Sequence, residues 1–279
     1  MTGSVPAHIC LTCGVQHAPS EDPPASCAVC QDARQYVGWN GQRWTNLDEL
    51  RSGHSNRIED LEPALTGIGT EPAFAIGQRA LLVRTARGNL LWDCVTLIDD
   101  QTVTAVQERG GIAAIAISHP HYYSAMVEWS NAFDAPVYLH EADQRWVMRP
   151  APSIRFWSGD ALPLFRDLTL VRLGGHFPGG TVCHWPAGAG GRGALLAGDV
   201  LQVVQDRRFV SFMYSYPNLI PLPAHVVARI ARRASEFRFD RVYGAWWDRV
   251  VDRDGQNAVA RSAVRYCAAL ATEADEVEL

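Results

Sequence analysis

Two groups of side chains in this sequence have the types and spacing needed to hold metal ions. Cys10, Cys13, Cys27 and Cys30 form C-x2-C-x13-C-x2-C, with Gly14 directly after the first pair. A C-x2-C turn presents two thiolates from one tight knuckle, and two knuckles complete the tetrahedral S4 shell that Zn2+ prefers. Iron in the same shell is the lesser alternative, as is replacement of one thiolate by His8 or His17. A closed four-thiolate shell leaves no position for water, so its zinc is structural. The second group is His119 and His121 in Ser-His-Pro-His at 118–121, His176 in Gly-Gly-His-Phe-Pro-Gly-Gly at 174–180, and Asp199 in Leu-Ala-Gly-Asp at 196–199. Each follows a predicted strand directly, and four metal-capable side chains at strand ends read together as one site.

The elements that must position them are short. Strands are expected at 80–85 and 90–97, joined by the hairpin signal Arg87-Gly88-Asn89. A helix over 100–108 ends at Gly110-Gly111. The compact apolar run 112–117 is a buried strand that stops at Pro120. A strand places residues i and i+2 on one side, so His119 and His121 can converge on one point. Helix over 122–133 and strands at 135–139, 168–173, 181–185 and 194–197 follow, with late helices at 224–237 and 256–272. Mixed strands and helices of this kind predict an α+β fold with sheets covered by helices. The segment between the cysteine pairs, with Pro19, Pro23 and Pro24, is too poor in apolar residues to fold alone, and metal binding supplies the missing stability. The expected organisation is a four-Cys zinc-binding module at 1–38, a connector at 39–70 anchored by Trp39 and Trp44, and a main domain at 71–279.

Composition narrows the function. The 279 residues carry a net charge of −5 with no basic stripe, which argues against a nucleic-acid surface. All 25 cations are arginines, and the lack of lysine excludes Schiff-base and pyridoxal-phosphate chemistry and a Walker-type phosphate loop. No signal-peptide pattern occupies residues 1–9 and no apolar run reaches the roughly 18 residues of a membrane span, so the expected compartment is the cytoplasm, with no membrane partner. Thiols stay reduced there, which favours metal or core roles for the seven cysteines. Gly188, Gly190 and Gly193 match G-x-G-x-x-G, yet Leu195 and Leu196 lead at once into Gly198-Asp199, so the stretch is a hairpin loop rather than a dinucleotide site. No G-x-S-x-G nucleophile elbow occurs.

Ser-His-Pro-His, Gly-Gly-His-Phe-Pro-Gly and Leu-Ala-Gly-Asp, in this order and with these separations, resemble three motifs of the metallo-β-lactamase superfamily over roughly residues 73–250. Asp93, after a strand, also fits that pattern. The resemblance implies an αββα sandwich with a metal site at strand ends along one edge, and zinc- or iron-dependent hydrolysis or, in some members, redox chemistry. This chain departs from the family's H-x-H-x-D-H motif at Tyr123 and Ser124, and after Val242-Tyr243-Gly244 it has Ala245, Trp246 and Trp247 where the family has a further histidine. The resemblance therefore implies that three ligands of a second metal position are missing, that His119, His121 and His176 of the first remain, and that Asp199 is the bridging carboxylate.

Three neutral imidazoles with one open position form a catalytic zinc shell able to lower the pKa of bound water toward about 7. Asp199 is then a fourth ligand or the acceptor of that water's proton; only the second role leaves a mononuclear hydrolase workable. Tyr123 is a phenol donor to a developing oxyanion, an unusual ligand, or a core or pocket-wall aromatic. Asp248 is a lesser alternative carboxylate, and the aromatic segment 209–218 either walls an apolar substrate pocket or packs in the core. The expected activity is hydrolysis of a small ester, thioester or lactone-type substrate by a Zn2+ or other divalent ion. The alternative is a metal-binding or partner-binding protein that kept the fold without catalysis.

Overall fold

The computed structural model describes residues 5–271; the parts of the expected 1–38 module, 71–279 domain and 256–272 helix that fall on 1–4 and 272–279 lie outside the described residues. The chain divides into two compact units, one ending at Trp157 and the other beginning at Ser158.

The first unit is built on a seven-stranded sheet whose strands follow one another in chain order, from Ser55–Glu62, Leu65–Glu71, Arg79–Val83 and Leu90–Trp92 to Ala114–Ala116, Val137–His140 and Ile154–Trp157. Pairing is antiparallel through the first four and parallel through the last four. Parallel neighbours need a crossover, and the helices Asp100–Glu108 and Met126–Phe133 supply two of them. The first helix begins where the Asp99 carboxylate accepts from the Thr102 amide at 2.7 Å, and ends where Gly110 and Gly111 turn left-handed. Strands Leu90–Trp92 and Ala114–Ala116 are buried throughout, as parallel strands covered on both faces are. The strand expected over 90–97 stops at Trp92, because Asp93 adopts a left-handed φ of 60° and leaves the ladder.

The amino-terminal module belongs to this unit. Strand Ile9–Cys10 pairs with Trp44–Thr45, and the one-turn helix Ala28–Gln31 carries the last cysteine. Thr96 Oγ1 donates to the Gly14 carbonyl at 2.9 Å, and the Gln16 amide donates to the Ser124 carbonyl at 3.0 Å. Trp44 packs edge-on against His17 at 4.7 Å. Trp39 does not anchor this region as expected; its side chain is fully exposed.

The second unit holds a six-stranded sheet in the order Ala161–Leu164, Leu168–Arg172, Thr181–Trp185, Ala194–Gly198, Arg241–Gly244 and Val250–Val251. All pairs are antiparallel except Ala194–Gly198 with Arg241–Gly244, whose crossover contains the helix Ala224–Ser235. That helix buries Val227, Ile230 and Ala234 against a core that includes Leu195, Phe212, Val242 and, from the helix Gly255–Ala271, Val259. The 188–193 stretch connects two antiparallel strands as a hairpin loop, with Ala189 and Gly190 at φ of 53° and 65°. No helix among the described residues is long and apolar enough to cross a membrane.

Candidate metal centres

The four cysteines are buried and unbridged, and their Sγ atoms all lie within 4.8 Å of one another. Cys10 and Cys30 approach to 3.5 Å and Cys13 and Cys27 to 3.7 Å. A regular tetrahedron with bonds of about 2.3 Å has edges of about 3.8 Å, so this spacing fits a zinc or iron S4 shell and is far too long for a disulfide. Hydrogen bonds from Cys10 and Cys13 hold the Cys27 thiol far below its ordinary range. Hydrogen bonding with Cys13 draws Cys10 down to about 6, while burial pushes Cys13 up. A dication bound by thiols packed this closely would displace their protons. One residue of the shell's surroundings had no sequence signal: Gln42 donates from Nε2 to Cys10 Sγ at 3.2 Å and accepts the Cys27 amide on Oε1 at 3.1 Å, tying the two knuckles together.

His119 and His121 lie just past the carboxyl end of strand Ala114–Ala116, the end at which open α/β sheets bind ligands. Both are buried, with ring centroids 5.1 Å apart. Strand alternation is not what brings them together. The strand has already ended, His119 is extended, and Pro120 opens a 3-10 turn over Pro120–Tyr122 that returns His121 toward its neighbour. Ser118 Oγ stands 2.9 Å from His119 Nδ1, and the Ser118 amide donates to Asp93 Oδ1 at 2.7 Å, so the end of one parallel strand holds the next. The Tyr122 ring lies 4.4 Å from that of His119. Tyr123 is buried, its phenol pushed well up by burial and secondarily by the charge of Asp143. The Ser124 hydroxyl accepts from Gln78 and donates to the Cys94 carbonyl.

In the second unit His176 is buried in a loop closed by the Leu173 and Gly174 amides, both donating to the Gly180 carbonyl. Gly175, at φ of 86°, lets this loop lie on the helix Ala224–Ser235: a Cβ there would meet Ile230 Cδ1 at 2.7 Å. His176 Nδ1 stands 2.8 Å from the Tyr214 carbonyl. A carbonyl only accepts, so Nδ1 carries a proton, and in the neutral ring the lone pair is then on Nε2. Asp199 follows Gly198 at the end of its strand and is buried. Tyr216 donates its phenol to the Asp199 carbonyl at 2.8 Å and lays its ring 5.5 Å from His176. Burial and the Asp199 charge push that phenol well up, so it stays protonated. The 209–218 segment thus divides: Phe212 packs in the core, while Tyr214 and Tyr216 hold His176 and Asp199. Asp248 is exposed in the turn after Gly244.

Structural comparison accounts for this architecture. The DIM-1 metallo-β-lactamase superposes with a TM-score of 0.58 at 16% identity, over 77% of this chain and 98% of its own. FIM-1 from Pseudomonas aeruginosa, a metallo-β-lactamase in its mono-zinc form, gives 0.55 at 14% identity, over 76% and 96%. TTHA1623 in a di-iron-bound form gives 0.51 at 23% identity, over 70% and 97%. The fold is that of the metallo-β-lactamases, here with an amino-terminal four-Cys module. No family model matches the chain. The uncharacterized protein YmaE of Bacillus subtilis (strain 168) is 52% identical over 271 residues, spanning 96% of this chain and 98% of its own, and the chain belongs to the family of that protein.

Proposed function

We propose that the protein is a metal-dependent hydrolase in which His119, His121 and His176 hold a single active-site ion, with Zn2+ as the expected metal and a second, structural Zn2+ in the Cys10, Cys13, Cys27 and Cys30 shell. The substrate is a small ester, thioester or lactone. A divalent ion held by neutral imidazoles supplies Lewis acidity and acidifies water near neutral pH.

The chain's own residues do the rest. The observation that carries the reading is the main-chain clamp on His176 Nδ1, which fixes the tautomer and ring direction that ligation through Nε2 requires. For His119 the same requirement makes Nδ1–H donate to Ser118 Oγ, itself positioned through Asp93. Asp199 holds a buried carboxylate that accepts a proton during water attack, and Tyr216 keeps its main chain in place. Tyr123 is a candidate phenol donor to the developing oxyanion. Occupancy by one ion is favoured because Ser124, where the resemblance expects a ligand, spends its hydroxyl on Gln78 and Cys94.

Metal analysis with a panel of neutral esters, thioesters and lactones tests the reading. The wild type is expected to carry about two equivalents of metal and to turn over at least one class. His121→Ala should lose one equivalent and all turnover while remaining folded. Unchanged hydrolysis in that variant overturns the assignment. A metallated wild type inert across the panel favours a binding protein on the same fold.

A further inference from the structure

The second unit has a concave pocket of about 370 Å3 whose charge is unlike that of the protein as a whole. Helix Ala224–Ser235 puts Arg229, Arg232 and Arg233 at i, i+3 and i+4, one face of the helix, opposite the buried Val227, Ile230 and Ala234. Three cations stacked in this way repel one another. Arg172, at the end of strand Leu168–Arg172, adds a fourth guanidinium, held by donation from Nε to the Pro178 carbonyl at 2.8 Å. Asp160 and Glu236 are the two carboxylates of the lining. Glu236 pairs with Arg233, which also donates to the Asp160 carbonyl. Arg229 and Arg232 have neither an ion pair nor a side-chain hydrogen bond among the described residues. Four guanidiniums against two carboxylates leave the pocket with two positive charges in excess, on a chain whose net charge is −5.

The pocket adjoins the loop of the proposed site. Gly174 is in its lining, two residues before His176, and Arg229 Nη2 would lie 3.3 Å from a Cβ at Gly174. Guanidinium forks match the oxygens of phosphate and carboxylate, and an excess of two charges matches a phosphate dianion. A single concavity of this size suits one such group, not an extended polyanion.

We propose that this pocket binds a phosphate-type dianion carried as the tail of the substrate. The tail assignment rests on the hydrolase reading above; the anion site does not. Inorganic phosphate would be titrated calorimetrically into the metallated full chain at low ionic strength, beside the exposed-residue variant Arg229→Gln/Arg232→Gln. Wild-type binding, weakened about tenfold or more in the variant and by added salt, is the expected result. A phosphate-bearing ester and a neutral ester of the same acyl group would then be compared: the variant should raise KM for the first about tenfold, keep its kcat, and leave the neutral ester unchanged. Absent phosphate binding, or binding indifferent to the two substitutions, overturns the site. Phosphate binding with equal effects on both esters overturns the tail and leaves a site for the free ion. Phosphate binding that is intact in a metallated protein inert toward both esters and across the ester, thioester and lactone panel overturns the hydrolase reading, and the tail with it, while the anion site stands.

Discussion

The cysteine cluster and the histidine positions both present metal-capable atoms, by opposite means. The four thiolates come from a short stretch with little core of its own: two knuckles, a one-turn helix, and Gln42 bonded to both. His119 and His121 stand just past the end of a buried strand and His176 in the loop after another strand, and the rings of His119 and His176 are oriented by bonds to Ser118 and to the Tyr214 carbonyl. On the proposed reading a metal would stabilise the chain around it in the first case, whereas in the second the sheets position the imidazoles. A closed shell of the first kind suits structure, and oriented imidazoles of the second suit chemistry.

That contrast can be broken most forcefully at Cys13. Cys13→Ser should cost about 5 kcal/mol or more, given the order of 10 kcal/mol that zinc supplies to small fingers, and should remove one equivalent of metal; His121→Ala should remove the other with a much smaller change in Tm. If calorimetry gives the two variants the same Tm loss, the division between the shells is wrong. Ser118→Ala sharpens the other side. It leaves the ligand count intact and frees the His119 ring, so activity or metal affinity should fall about 10–100-fold while global stability, read by urea unfolding, barely moves. A fall no larger than twofold in both would show that the Ser118 contact does not orient the ring. The smallest effect belongs to an imidazole outside the proposed ligand set. Burial lowers the pKa of His184, partly countered by its bond to the Arg238 carbonyl at 2.9 Å. The unfolded chain then takes up the proton first, so stability is full above about pH 6.5 and declines below it. His184→Gln should flatten that decline, and an identical pH profile for the variant would remove His184 from the account.

The sequence made the metal-capable cysteine and histidine groups legible because each sits in a short, punctuated motif. Helix Asp100–Glu108 and strand Ala114–Ala116 were equally plain, the one from its closing glycines and the other from the compact apolar run 112–117. Strands Ser55–Glu62 and Leu65–Glu71 gave no signal: half the residues of the first are charged and none is fully buried, and the second carries Gly67 and Gly69. The early end of strand Leu90–Trp92 was hidden for a different reason, since only the backbone turn at Asp93 stops an otherwise apolar run. Tyr214 and Tyr216 could not be assigned because they act by a carbonyl and by a bond to a carbonyl, which side-chain identity does not announce. The convergence of His119 and His121 was expected for the wrong mechanical reason, a pleat where Pro120 has made a turn.

The bond from the Gln16 amide to the Ser124 carbonyl joins the amino-terminal knuckles to the segment just after His121. On the proposed reading, stripping metal from the sulfur shell by chelation or oxidation would loosen a strut of the turn that carries His121 as well as the module itself. Loss of metal or of reducing power would then reach the proposed site from a distance, with its histidines chemically untouched.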